Sequence, residues 1–136
     1  MKYRFVEDLT SDVLFEAYGK ELKELFTNAA LALFSVICQI DKIGDKEEKG
    51  IEVSADNLED LLFNWLQELI AIVDTENLFF SRFEILELND KHLKAKCYGE
   101  PAKPEKGGTV VKGVTYYKYK FEKVKEGYKV RVSLDI

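Results

Sequence analysis

Residues Val13-Leu14-Phe15-Glu16-Ala17-Tyr18-Gly19 are mostly apolar or aromatic and stop at a glycine, the pattern of a strand. Leu22, Leu25, Phe26, Ala29, Leu33, Val36 and Ile37 then recur at helical spacing, with Lys20, Glu21, Lys23, Glu24 and Asn28 on the opposite side. That spacing predicts a helix over about 20–39 with a wide apolar face. Asp41–Gly50 reads as a charged loop, and Ile51-Glu52-Val53 as a short strand. A second helix is predicted from Asp56, where Glu59 is spaced to close a capping box. Its apolar stripe is Leu58, Leu61, Leu62, Trp65, Leu69, Ile72 and Val73.

After about residue 76 the period changes from helical to alternating. Phe79–Leu88 sends Arg82, Glu84 and Glu87 outward, Asn89-Asp90-Lys91 turns the chain, and Leu93–Gly99 returns it. Gly107-Gly108 breaks the pattern, and Val110–Val124 and Tyr128–Leu134 flank a hairpin turn at Glu126-Gly127. Two strand-then-helix units followed by a run of strands predict an α+β fold. It would be a single two-layer domain, residues 1–136, with two amphipathic helices packed on a mixed, largely antiparallel β-sheet.

Composition narrows the classes. With 136 residues the chain is one domain, and 46% hydrophobic with 33% charged residues is globular, not disordered. The apolar run Ala29–Ile37 is broken by Ser35 and is too short to span a membrane, and the N-terminus lacks a signal-peptide core. Cys38 and Cys97 fall in no metal-type spacing and read as small buried residues of a reducing compartment. The expectation is a soluble cytoplasmic domain. Net charge is −5, yet residues 101–131 carry nine Lys/Arg against three Glu. An acidic total argues against general coating of DNA or RNA, while the basic section leaves contact with an acidic partner open.

Catalytic signatures are missing. The chain has one histidine, His92, beside a predicted turn, and no nucleophile elbow, phosphate-binding loop, zinc-protease motif or dinucleotide fingerprint. Three segments carry possible chemistry instead. Thr10-Ser11-Asp12 precedes the first predicted strand. At the other end, Leu134-Asp135-Ile136 sets the Asp135 carboxylate beside the α-carboxylate expected at Ile136, hard oxygens of the kind that Ca²⁺ and Mg²⁺ prefer. Asp12 would add a further carboxylate. Third, Lys112-Gly113-Val114-Thr115-Tyr116-Tyr117-Lys118-Tyr119-Lys120 interleaves lysine with tyrosine, which suits either base stacking with phosphate contact or an ordinary half-exposed strand. Asp74 and Glu76 close the second helix, where negative charge opposes the helix dipole.

In this order the segments resemble the archease family. The resemblance is carried by Thr10-Ser11-Asp12, Tyr18-Gly19, Ala29-Leu31-Ala32-Leu33-Phe34, Asp74-Thr75-Glu76, Tyr98-Gly99-Glu100, Lys112-Gly113-Val114-Thr115-Tyr116 and Leu134-Asp135-Ile136, spanning nearly the whole chain. It implies a non-catalytic accessory protein of the RtcB-type RNA ligase of tRNA splicing and RNA repair, one that promotes formation of the ligase's covalent guanylate and sustains multiple turnover. It also implies a divalent cation, Ca²⁺ first with Mg²⁺ or Mn²⁺ as alternatives, held by Asp12, Asp135 and Ile136. Lys112 would be the activating or partner-contacting residue. The partner would be the ligase, with direct RNA contact left open and neither membrane nor DNA expected. The alternatives are a chaperone-like interaction module and a direct RNA binder using Lys112, Lys118 and Lys120. Where the family motif reads His-Thr-Ala-Asp this chain has Leu9-Thr10-Ser11-Asp12, Tyr117 replaces a common histidine, and Asn77 a common glycine.

Overall fold

The computed structural model describes residues 1–8 and 12–136. Along the chain run β1 (Tyr3–Val6), β2 (Val13–Gly19), α1 (Leu22–Ile37), β3 (Glu47–Ser54), α2 (Leu58–Glu76), β4 (Leu78–Leu88), β5 (His92–Pro101), β6 (Gly113–Val124) and β7 (Gly127–Asp135). The strands form two sheets, ordered β1-β2-β7-β6 and β3-β5-β4, and every pairing within them is antiparallel. The α+β class holds, with the strands divided between two sheets. The division follows from α1, whose broad apolar face packs on β2 and on β4, so each sheet takes part of it.

The core lies where the helices meet both sheets. Trp65 of α2 is fully buried and donates its indole N–H to the Phe26 carbonyl of α1 at 3.0 Å, tying the two helices together. Phe34 packs against Phe80 and Phe83 of β4 at ring separations of 5.6 and 5.3 Å. β2, interior to its sheet, is buried along most of its length, Glu16 included.

Local chemistry departs from expectation in a few places. Helix α2 is capped by Asn57, whose Oδ1 accepts from the Asp60 N–H at 2.8 Å; the Asp56/Glu59 box does not form. Its C-terminal cap, Asn77, is left-handed at φ 55°. Asparagine tolerates that region better than other non-glycine residues. Strand β3 begins at Glu47, inside the expected loop, because main-chain pairing of Glu47–Gly50 with β5 needs no apolar side chains at a sheet edge. Strand β1, not anticipated, is four residues long and pairs with β2. At Gly99 a Cβ would collide with the Phe79 carbonyl, so β4 and β5 can cross there only with glycine.

Candidate functional site

Strand register gathers the four residues singled out from the sequence. Val13 of β2 pairs with Leu134 of β7, so Asp12 leaves the ladder opposite Asp135. On the other side of β7, Gly113 pairs with Asp135, and the Lys112 N–H donates to the Asp135 carbonyl at 2.7 Å. Lys112 therefore lies opposite Ile136. Asp12, Asp135, Ile136 and Lys112 share one end of three adjacent strands. The side chains of Asp135, Ile136 and Lys112 are exposed there. Thr10 and Ser11 of the first motif, and the Leu9 substitution, lie outside the described residues.

The donor chemistry of this end suits a hard divalent ion: two carboxylates and a main-chain oxygen of Ile136, with no sulfur or imidazole. Among the described residues no group of three or more His, Cys, Asp or Glu side chains is arranged to hold a metal. The set thus rests on a carboxylate pair, fewer donors than the six to eight oxygens a Ca²⁺ ion takes.

Beside this end, β6 leaves its ladder. Between the pairs Thr115–Ser133 and Lys120–Arg131, residues 116–119 of β6 face the single Val132 of β7. Lys118 at the centre of the bulge has φ 53°, and its carbonyl accepts from Arg131 Nε at 2.9 Å. Its ammonium meets Asp8 at 2.8 Å, and the Asp8 carboxylate, then the Tyr117 hydroxyl, hold the Lys118 pKa above the ordinary lysine value. Asp8 is nearly buried, with 5% of its side chain exposed. The Tyr117 hydroxyl also reaches Asp8, at 3.3 Å. Tyr116 stacks on Phe63 of α2 at 4.2 Å, and Tyr119 donates its hydroxyl to the Glu59 carbonyl. Burial, then the charges of Glu59 and Asp60, push the Tyr119 hydroxyl pKa up. Sequence reading missed Asp8: it stands in a polar stretch far from Lys118 in sequence, and only the bulge brings them together.

The lysine–tyrosine segment is therefore no regular stacking strip. Tyr119 is committed to α2, Lys118 to Asp8, and Lys120 lies 3.6 Å from Glu122. His92 is half-buried, its Nε2 3.5 Å from Glu52. Both thiols are buried and unreactive by placement; burial pushes Cys38 up to about 12 and raises Cys97 as well. No described helix is long and apolar enough to cross a membrane.

A two-helix α+β domain with an acidic pair and an exposed lysine at one sheet end is thus the class of protein defined by the fold. The Archease protein family (MTH1598/TM1083) model matches residues 3–136. Protein archease of Pyrococcus abyssi is 43% identical over 123 residues, covering 87% of each chain, and that of Archaeoglobus fulgidus is 37% identical over 140 residues, covering all of both. In structure the chain resembles protein 1598 of Methanobacterium thermoautotrophicum, with a TM-score of 0.81 and 34% identity over 98% of each chain. A Thermotoga maritima protein described as an archease, possible chaperone, gives a TM-score of 0.71 at 25% identity, covering 98% of this chain and 97% of that one. This chain belongs to the archease family.

Proposed function

We propose that this protein is a non-catalytic activator of an RtcB-type RNA ligase in tRNA splicing, docking transiently to promote the ligase's guanylylation and multiple turnover. The observation that carries the reading is the juxtaposition of Asp12, Asp135, Ile136 and Lys112 across β2, β7 and β6, in a member of the archease family. Asp12 and Asp135 hold a divalent cation, Ca²⁺ or its Mg²⁺ or Mn²⁺ alternatives, with a main-chain oxygen of Ile136. Such an ion would neutralise phosphate charge as pyrophosphate leaves.

The chain's own residues do the positioning. The carboxylate pair is incomplete for a Ca²⁺-type shell, so the remaining oxygens come from solvent or from the partner, which suits a site that works at a docking surface. Lys112, on a flexible stem with its backbone fixed to Asp135, offers a point charge to a triphosphate or to a ligase carboxylate. Docking aligns groups in the partner's active site, the ordinary source of rate in phosphoryl-type transfer.

The test is multiple-turnover ligation of RNA ends with GTP by the ligase of the same organism. Wild type should stimulate; Asp135→Ala, Asp12→Ala and Lys112→Ala, each shown to be folded, should not. Absence of stimulation by wild type would overturn the reading. The chaperone wording attached to the Thermotoga relative makes client protection from aggregation the comparison assay. Steeply salt-dependent RNA binding lost in Lys112 variants would instead favour the direct RNA-binding reading.

A further inference from the structure

We propose that the cavity beside the C-terminal end of α2 is a docking site for a segment of a partner protein, one that inserts a single apolar side chain and sets a lysine or arginine next to it. The cavity measures about 130 Å³ and lies between the end of α1, the last turns of α2 and residues 107–111. Its walls are Ile37, Ile70, Val73, Phe79 and Val111, and among the described residues Asp74 is the one charged group that lines it.

Size selects the occupant. A dry cavity of about 150 Å³ takes one benzene-sized group, whereas cofactor and metabolite pockets begin near 300 Å³. One side chain fits; a nucleotide does not. The cavity is also pre-formed. The Gly108 and Thr109 N–H groups donate to the Ile37 and Val36 carbonyls at 2.8 Å each, and Gly107 bridges to Cys38, so the outer wall is fastened to the end of α1. Val110, 75% exposed, forms an apolar lip that a bound segment would cover.

Charge selects the neighbour of that side chain. Helix α2 ends on Asp74 and Glu76 with no basic residue in its last turn, so carboxylates add to the negative end of the helix dipole. Lys49 neutralises Glu76 at 2.9 Å. Asp74 has no hydrogen-bond or ion-pair partner among the described residues. Lys103 lines the adjoining depression together with Asp74, Phe79 and Ala102, so Lys103→Ala should strengthen binding of the lysine peptide. This site shares no residue with the acidic sheet end, so it stands whether or not the activation reading does.

The experiment is methyl NMR on the full chain, following Ile37, Ile70, Val73 and Val111, with the blocked peptide acetyl-Gly-Leu-Lys-Gly-amide as probe. Saturable shifts are expected at millimolar peptide. Alanine in place of the leucine should weaken binding by about tenfold, and Asp74→Asn by about threefold. A glutamate peptide should bind more weakly than the lysine peptide. Asp74 is exposed and its charge opposes the dipole, so Asp74→Asn should keep a thermal midpoint at or above that of wild type. Lack of saturation at about 20 mM, equal binding of the glutamate peptide, or an Asp74→Asn variant that binds like wild type would each overturn the proposal.

Discussion

Thr115 Oγ1 and Ser133 Oγ are buried without a hydrogen-bond partner among the described residues, and the two residues are cross-strand neighbours in β6 and β7. A buried hydroxyl left unsatisfied costs about 1–3 kcal/mol. Thr115→Val replaces the oxygen with a methyl group, leaves no void and keeps a β-branched side chain in its strand. It should therefore raise unfolding free energy by about 1 kcal/mol, or about 3 °C in midpoint for a chain of this length. Ser133→Ala removes its oxygen but leaves a hole of about 15 Å³, which takes back about 0.4 kcal/mol. Its net gain should be smaller, and the double variant should exceed either single one. Urea unfolding followed by the fluorescence of Trp65, the single and fully buried tryptophan, reads all three. A Thr115→Val variant destabilised by about 1 kcal/mol would refute the reasoning, since it would mean that the hydroxyl makes a bond in solution.

Glu16 gives a pH dependence with a definite sign. Burial works to raise its pKa, but hydrogen bonds from Tyr18, Arg4 and Lys129 outweigh it and hold the carboxyl below its ordinary value of 4.5. The stability it contributes is present above the unfolded value and is lost as pH falls through the lower folded one. Glu16→Gln should flatten the acid limb of a stability–pH curve; an unchanged limb would count against the cluster. Cys38 and Cys97 should resist thiol reagents in native buffer and react together on unfolding, and fast native labelling of either would contradict their burial. If Asp12 and Asp135 hold Ca²⁺, the ion at ten times its dissociation constant should add about 1.4 kcal/mol to stability. Asp135→Asn should abolish that gain, and a gain that persists would place the ion elsewhere.

The proposed activation at a docking surface and the proposed capture of a basic segment at the C-terminal end of α2 would use opposite features of one small domain. The acidic sheet end would supply only part of an ion's coordination, which a partner's oxygens would complete. The α2 cavity offers a finished apolar pocket beside the Asp74 carboxylate. Asp135 lines no part of the cavity, so Asp135→Ala should leave the peptide titration unchanged.

The sequence determined by itself what depends on local period and local chemistry. Helical recurrence from Leu22 to Ile37 and from Leu58 to Val73 marked both helices, and alternation marked β4, because these elements bury one face and expose the other. The motif ends Asp12, Asp135, Ile136 and Lys112 were legible as chemistry and, through their resemblance to archeases, as a set. Their meeting was decided by register alone: antiparallel pairing of β2 with β7 and of β7 with β6 brings residues 12, 112 and 135 together across more than a hundred positions of chain. Strand β3 began before its apolar residues did, because an edge strand is held by main-chain bonds that leave no mark on side-chain pattern. The bulge at 116–119, the burial of Asp8 against Lys118 and the cavity over Asp74 belong to the tertiary structure only. Each arises from elements distant in sequence closing on one another, and no window of residues records which partner a side chain will meet.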